Sequence, residues 1–223
     1  MTKPTIIDLL NRSVDQYAEN PFLWEKKTDK FESVSYAETR EMAKAFAAGL
    51  IALGVKKGDK MALLSEGRNA WIIGELGILY TGAVNVPLSI KLEESNDLIF
   101  RIIHSESKYI VVSGAQLRKI KTISKDLPAV QKIIIIDEQE SYDEKEIPWS
   151  KVLELGQEYL LKYPDVVNVR SREIAPDDLA TISYTSGTTA DPKGVMLTHR
   201  NYTANVEQAL TLMTIPTYYK TLI

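Results

Sequence analysis

The sequence contains no cysteine and only two histidines, and both shortages restrict its chemistry. Without cysteine, the chain has no disulfide framework, no thiolate nucleophile and no zinc–cysteine site. Two histidines are too few for a histidine-based metal cluster. The lack of cysteine is also compatible with a reducing compartment, and we therefore expect a cytoplasmic location.

An excess of one charge and long apolar runs are also missing. The net charge is −3, which predicts no basic surface for nucleic acid or for an anionic membrane. The longest apolar stretch, Ala70 to Leu88, is interrupted by Glu75, Gly82 and Asn85, and it falls short of a membrane span. The first residues lack an apolar core of signal-peptide length. We therefore predict no transmembrane segment and no nucleic-acid partner.

The remaining composition is that of a globular protein. The chain has 223 residues, of which 44% are hydrophobic and 26% are charged. This length suits one large domain, or one and a half. The amino-terminal residues predict an amphipathic helix whose apolar side carries Ile6, Leu9, Leu10, Val14 and Tyr17.

Helix and strand patterns alternate from residue 36 onward. Ser35 and Glu38 have the spacing of a capping box, and the helical pattern that follows ends at Gly54. Helices between strands predict right-handed crossovers and a largely parallel sheet with helices on both faces, which is the α/β class. The acidic stretch from Asp137 to Pro148 indicates a surface loop rather than a domain boundary. We predict strands at 61–65, 83–86, 109–113, 133–136, 179–185 and 195–198, and helices at 36–53, 69–81, 93–104, 115–127, 149–162 and 201–213.

The run YTSGTTADPKGV, from Tyr184 to Val195, combines groups that suit phosphate binding. Its glycines leave backbone amides accessible, its hydroxyl groups can donate hydrogen bonds, and Lys193 adds a positive charge. The run is not a Walker loop, because its lysine precedes Gly194 instead of following a glycine. We predict that the phosphate ligands are Thr185, Ser186, Gly187, Thr188, Thr189, Lys193 and Gly194.

Purely structural interpretations of these residues remain. A run rich in serine, threonine, glycine and proline also occurs in surface loops. Ser186 lacks the G-x-S-x-G environment of a serine hydrolase. His199 stands beside the run, where it would contact a substrate or have a structural role, and we favour the structural role. Asp177 and Asp178 suit a turn better than a metal site, and His104 suits a surface position near a helix carboxyl end.

The run resembles the phosphate-binding signature of the adenylate-forming superfamily, which includes acyl-CoA synthetases, luciferases and the adenylation domains of peptide synthetases. The resemblance extends to GVKKGDKMALLSEGRNAW (54–71), GELGILYTGAVNVPL (74–88), PDDLATISY and MLTHRNYTANV. The last string is most similar to long-chain fatty-acyl-CoA ligases. Nearly the whole chain is covered, although only the run itself is a specific signature.

This resemblance implies an activity and its ligands. Members of the superfamily adenylate a carboxylate with ATP, release pyrophosphate, and transfer the acyl group to the thiol of coenzyme A. The resemblance implies that Thr185 to Lys193 hold the β- and γ-phosphates, that the Thr185 hydroxyl lies near Mg²⁺, and that Lys193 takes part in catalysis. The expected ligands are therefore ATP, Mg²⁺, a fatty acid and coenzyme A.

The sequence departs from the superfamily pattern in two respects. Ala190 stands where a glycine is usual, and if that position needs a positive φ, alanine costs about 1 kcal/mol and stiffens the loop. The motifs for adenine, ribose and the acidic magnesium ligand do not occur, nor does the small lysine-bearing domain. The resemblance thus implies that residues 1–223 are the amino-terminal portion of the AMP-binding domain, without the carboxy-terminal small domain.

Several alternatives stay open. The chain by itself would be a non-catalytic phosphate- or nucleotide-binding module, or part of an enzyme that adenylates a medium-chain, aryl or amino acid. The last residues, TYYKTLI, have the pattern of a strand entering a core. We therefore expect the isolated chain to be inactive, to leave apolar surface bare and to self-associate.

Overall fold

The computed structural model describes residues 4–185 and 192–212. The strands are β1 (Pro21–Lys27), β2 (Lys30–Ser35), β3 (Lys60–Leu64), β4 (Val84–Pro87), β5 (Ser107–Val112), β6 (Lys132–Ile135), β7 (Glu146–Pro148), β8 (Leu179–Thr185) and β9 (Lys193–Thr198). The helices are α1 (Ile6–Tyr17), α2 (Tyr36–Ala52), α3 (Asn69–Tyr80), α4 (Ser95–His104), α5 (Gly114–Ile123), α6 (Trp149–Lys162), α7 (Val166–Arg172) and α8 (His199–Leu212).

Within the described residues, seven strands form the central sheet in the order β7-β6-β5-β3-β4-β8-β9. Each pair from β7 to β8 is parallel, and β9 is antiparallel to β8. Strands β1 and β2 form a separate antiparallel hairpin. Among the described helices, none combines the length and the apolar character that crossing a bilayer requires.

Capping boxes begin the first two helices. The Thr5 hydroxyl accepts a hydrogen bond from the Asp8 amide at 3.1 Å, and the Asp8 carboxylate accepts one from the Thr5 amide at 2.8 Å. Ser35 and Glu38 make the same pair of bonds at the start of α2, as their spacing predicts. Helix α2 stops just before Gly54, whose φ of +92° suits glycine.

The sheet separates two apolar cores. Helices α1, α2, α3, α6 and α7 cover one face, where Phe46 and Tyr80 are fully buried. Helices α4 and α5 cover the other face through Leu98 and Ile120. Strands that are buried on both faces read as continuous apolar runs, and this explains the sequence pattern of β3, β5 and β6. The predicted α/β fold with helices on both faces is therefore confirmed.

Helices α2 and α6 approach closely because both carry a glycine at their crossing. A methyl group on Gly156 would overlap the carbonyl oxygen of Ala45, and one on Gly49 would overlap the carbonyl oxygen of Val152. The rings of Phe46 and Trp149 stack at 3.9 Å beside this crossing. The pair of glycines therefore sets how near α6 can lie to α2.

Three features were missing from the sequence prediction. The β1–β2 hairpin is largely exposed, with Leu23 as its buried side chain, so its alternation is weak. Strand β7 has three residues and lies within the stretch predicted as a loop from Asp137 to Pro148. Helix α7 has seven residues, which is too few for a clear helical period. These short elements gain their structure from tertiary contacts.

Candidate functional site

Strands β8 and β9 bring together the two ends of the predicted phosphate-binding run. Thr185, the last residue of β8, lies opposite Lys193, the first residue of β9. Directly opposed residues of an antiparallel pair point to the same face, so the hydroxyl and the ammonium group share one side of the hairpin. Both residues are exposed, and Lys193 forms no ion pair within the described part of the chain.

The middle of the run lies outside the described residues. This applies to four predicted phosphate ligands, Ser186, Gly187, Thr188 and Thr189, and also to Ala190. Their contacts with phosphate, and the effect of alanine in place of glycine, stay predictions.

Gly194, within the run, has a packing role. It lies opposite Tyr184, and a methyl group added to it would lie 3.4 Å from the Tyr184 ring and 3.1 Å from the Ile182 side chain. Lack of a side chain thus lets the tyrosine ring lie against β9. The predicted approach of the Gly194 amide to an anion is a separate property and stays a prediction.

The run leaves the sheet at the side where the carboxyl ends of the parallel strands lie, which we call the ligand edge. In open α/β sheets, ligands bind outside the carboxyl ends of the strands. Strand β8 ends at Thr185, and the loops after β3, β5 and β6 leave the same edge. The predicted site therefore occupies the edge that this architecture favours for ligands.

Ionic contacts tie the neighbouring loops of this edge together. Arg68, after β3, donates to both carboxylate oxygens of Asp137, after β6, at 2.8 and 3.0 Å. The Gly114 amide donates to Asp137 at 2.7 Å. Desolvation opposes ionisation of Asp137, but the bonds from Gly114 and Arg68 outweigh it and hold the pKa of that carboxyl below its usual value. Sequence reasoning missed this pair, since residues 69 positions apart give no local signal.

A second polar pair lies beneath β8. The Asn85 amide of β4 donates to the Glu75 carboxylate of α3 at 2.8 Å, and Asn85 is fully buried beside Thr181 of β8. Burial raises the pKa of Glu75, and the bond from Asn85 offsets part of this. These residues interrupt the apolar stretch of the sequence because they pair with each other inside the fold.

His199 lies at the opposite end of the hairpin from the run. Its backbone amide donates to the Asp178 carbonyl at 3.1 Å, before β8 begins. The seven residues of β8 place it about 20 Å from Thr185. The ring is fully buried and accepts a hydrogen bond from the Ile6 amide at 3.4 Å through Nδ1. Contact with a ligand of the run is thereby excluded for this histidine, and the favoured structural role is supported.

The buried position of His199 changes its ionisation. Burial lowers the pKa of His199 to about 4, against the opposing effect of Asp178 and Asp8, while Lys57 adds to the lowering. The imidazole is therefore neutral at physiological pH.

Asp178 closes a turn, as its position predicts. Its carboxylate accepts from the Ala175 amide and pairs with Lys57 at 2.6 Å. The neighbouring Asp177 pairs with Arg200. Both carboxylates thus have cationic partners in the structure.

The described residues can offer Mg²⁺ one oxygen ligand next to the run. Within residues 4–185 and 192–212, no three His, Asp or Glu side chains are grouped to hold a metal ion. Thr185 ends in a hydroxyl at the mouth of the hairpin. Because Mg²⁺ keeps several waters and binds substrate phosphates, one protein oxygen fits a magnesium ion carried mainly by a nucleotide.

Comparison with known proteins identifies the family to which the chain belongs. The model of a protein family described as AMP-binding enzyme matches residues 10–220. The chain belongs to this family. A chloroplastic long-chain-fatty-acid acyl-carrier-protein ligase of Arabidopsis thaliana is 34% identical to this AMP-binding chain over 205 residues, which are 87% of the chain and 28% of the relative. A long-chain-fatty-acid–CoA ligase of Escherichia coli O6:H1 is 30% identical over 223 residues, which are 92% of the chain and 38% of the relative.

Solved structures of adenylate-forming ligases share the fold of this AMP-binding chain. A long-chain-fatty-acid–CoA ligase of Archaeoglobus fulgidus superposes with a TM-score of 0.77 at 21% identity, over 95% of the chain and 40% of that protein. An anthranilate–CoA ligase in complex with anthranoyl-AMP has a TM-score of 0.77 at 21% identity, over 93% of the chain and 37% of that protein. The chain therefore spans well under half of the length of these relatives.

Proposed function

We propose that this AMP-binding chain is the amino-terminal part of an ATP-dependent ligase that adenylates a long-chain fatty acid and passes the acyl group to a thiol. The relatives named as long-chain-fatty-acid ligases support the substrate class. Thr185 opposite Lys193 carries the proposal, because this pair sets a hydroxyl beside an ammonium group that has no ion-pair partner among the described residues, at the carboxyl ends of the parallel strands.

The residues of the hairpin suit the first step. The carboxylate oxygen attacks the α-phosphorus of ATP while the bond from this phosphorus to pyrophosphate breaks, so negative charge moves onto the leaving pyrophosphate. The acyl-AMP that forms is a good electrophile because AMP is a good leaving group. The Lys193 ammonium group would lie against that charge, at a strand end where it has no competing carboxylate among the described residues. Mg²⁺, when bound with ATP, would neutralise phosphate oxygens, and Thr185 would supply its protein ligand.

The acceptor thiol has two candidates. The Escherichia coli relative is named for CoA, whereas the Arabidopsis thaliana relative is named for the acyl-carrier protein. We propose coenzyme A, the acceptor that the resemblance implies. The phosphopantetheine thiol of an acyl-carrier protein is the second candidate, supported by the relative at 34% identity.

Pyrophosphate exchange tests the first step in the full-length protein. With Mg²⁺ and a long-chain fatty acid, we expect labelled pyrophosphate to enter ATP, because adenylation is reversible. A panel of medium-chain, aryl and amino acids serves as the comparison. Exchange that depends on amino acids and on no fatty acid would contradict the substrate class, and ATP binding without exchange on any acid would indicate a nucleotide-binding module.

Thioester formation tests the second step. The adenylated acid is offered either coenzyme A or a carrier protein that bears phosphopantetheine, and the acyl product is measured by mass spectrometry. We expect acyl-CoA. Acylation of the carrier protein alone would assign the other acceptor and leave the adenylation step intact.

A further inference from the structure

Three residues, Arg101, His104 and Gly194, hold the aromatic ring of Tyr184, the first residue of the predicted phosphate-binding run. Tyr184 precedes Thr185 in β8, and its side chain lies on the sheet face covered by α4. The last turn of α4 contributes Arg101 and His104 to this contact, and β9 contributes Gly194. We call Tyr184 with Arg101, His104 and Gly194 the tyrosine clamp.

Hydrogen bonds define the first part of the tyrosine clamp. The Tyr184 hydroxyl donates to the Arg101 carbonyl oxygen at 3.2 Å, and His104 Nδ1 lies 2.8 Å from the same hydroxyl oxygen. A phenol has one hydrogen, so both contacts are satisfied together when His104 donates Nδ1–H to the phenol oxygen. A histidine that donates through Nδ1 does so in its neutral and in its charged form.

Ring contacts define the second part. The His104 ring meets the Tyr184 ring edge-on at 5.8 Å, and it stacks on Phe100 at 5.2 Å. The Arg101 guanidinium carbon lies 5.8 Å from the centre of the Tyr184 ring. Arg101 is in turn fixed to α4 by the Asp97 carboxylate at 3.1 Å. These contacts restrain the tyrosine ring against a rigid helix end.

The Tyr184 ring lies next to the Thr185–Lys193 pair in the hairpin. Tyr184 lies opposite Gly194, and the next pair along the hairpin is Thr185 with Lys193. The ring is therefore held between α4 and β9 directly beneath the two residues that we place at the phosphate. Fixing this pair restrains the backbone positions from which the Thr185 and Lys193 side chains start.

We propose that Tyr184 and His104 are positioning residues, which hold Thr185 and Lys193 in the arrangement that binds the phosphates of ATP. This inference rests on the proposed function. Neither side chain reaches the phosphate itself, because both lie on the opposite face of the sheet from Thr185 and Lys193. Packing of α4 on the sheet is the competing explanation, and it predicts a loss of stability without a selective effect on ATP.

Kinetics of pyrophosphate exchange in the full-length protein separate these explanations. His104→Leu removes one hydrogen bond and should raise the KM for ATP about five-fold. Tyr184→Phe removes the bonds to both His104 and Arg101, so it should raise this KM by at least as much. The KM for the fatty acid should stay unchanged. His104→Asn should recover most of the loss, since its side-chain amide can donate from nearly the same position as Nδ1–H. Ile103→Ala, on the same helix turn and 55% exposed, is the control.

A double variant tests whether the two residues act through the same bond. Tyr184→Phe already removes the bond to His104, so combining it with His104→Leu should be no worse than Tyr184→Phe alone. Additive effects would overturn the coupling between them. An equal rise of both KM values together with a lower melting temperature, or kinetics identical to those of the parent, would overturn the positioning role.

Hydrogen exchange gives a readout that needs no activity. The backbone amides of residues 183–185 and 193–195 should exchange at least five-fold faster in Tyr184→Phe than in the parent, roughly the effect of one lost hydrogen bond, because the hairpin end opens more often without the bonds to Arg101 and His104. Unchanged protection would contradict the clamp even if the parent exchanges pyrophosphate. If amide hydrogens exchange faster in Tyr184→Phe but the parent protein has no ligase activity, the clamp is supported and the proposed function is rejected.

Discussion

The pairing of β8 with β9 places the hydroxyl of Thr185 and the ammonium group of Lys193 on the same side of the hairpin. Each is an ordinary exposed residue by itself, and the antiparallel register sets them opposite each other. Within the described residues the Lys193 ammonium group has no carboxylate partner, whereas Arg68 and Asp137 at the same end of the sheet pair with each other. The chemical role that we propose for the hairpin therefore rests on these two residues.

We predict that Lys193→Ala lowers the rate of adenylation in the full-length protein by about 100-fold, because the lost charge stabilises the leaving pyrophosphate more than it stabilises bound ATP. Stopped-flow or exchange kinetics with a separate ATP-binding titration measure both effects. Lys125→Ala is the matched control, since Lys125 is also exposed and makes no ion pair within the described residues. An unchanged rate would remove Lys193 from the mechanism.

For Thr185, we expect Thr185→Val to raise the magnesium concentration needed for half-maximal exchange, because valine keeps the shape and deletes the oxygen. Thr185→Ser retains the hydroxyl and should behave like the parent. A magnesium titration of Thr185→Val that overlays the parent curve would reject the ligand role.

His199 predicts a pH dependence of stability. Its pKa is lowered to about 4 by burial, whereas an unfolded histidine titrates near 6.5. The unfolded state therefore binds a proton first as the pH falls. The contribution of the neutral buried ring is fully present above pH 6.5 and is lost as the pH falls toward 4, by up to about 3 kcal/mol.

Urea unfolding between pH 7 and 4 measures this effect. His199→Asn keeps an acceptor for the Ile6 amide but does not titrate, so its free energy of unfolding should fall less steeply with decreasing pH than that of the parent. Parallel curves for the two proteins would contradict the assignment.

At the scale of elements, the crossing of α2 and α6 depends on the absence of two side chains. We predict that Gly156→Ala destabilises the fold by about 3 kcal/mol, because its methyl group overlaps the backbone of α2 and forces the helices apart. Gly67→Ala is the control, since nothing lies within 4 Å of its added methyl group. Denaturant midpoints compare the two variants, and equal midpoints would show that α6 can shift without cost.

At the scale of the whole molecule, exposed apolar side chains are prominent on the last two described elements. Met196 of β9 is 64% exposed and Leu210 of α8 is 62% exposed. The outer edge of β9 is unpaired within the described residues, and edges of this kind join other chains. We therefore expect the 223-residue chain to self-associate through the outer side of β9 and the exposed apolar side chains of α8.

We predict that Met196→Glu combined with Leu210→Glu shifts the 223-residue chain toward monomer in sedimentation velocity experiments, because charge opposes apolar association. Leu161→Glu on α6 is the control, since Leu161 is 86% exposed and lies on another element. A parent that is monomeric at every concentration would contradict self-association, and an equal effect of the control would assign the contact elsewhere.

Local sequence determined most of the elements and the place of the candidate site. The Ser35–Glu38 capping box begins α2 and the glycine at 54 ends it without contacts from other elements, because caps act through neighbouring backbone groups. Apolar runs indicated β3, β5, β6 and β8, and the composition of the run after Tyr184 indicated phosphate. The family assignment follows from these same local patterns.

Tertiary structure decided which distant residues meet. The pairing of β4 with β8, the partners of Arg68, the clamp on Tyr184 and the burial of His199 all join segments far apart in the chain. Side-chain periodicity specifies how one element faces a core, but the neighbour of each strand depends on the packing of the whole chain. For this reason the sequence predicted a phosphate-binding run, and the structure showed that Thr185 and Lys193 lie opposite each other.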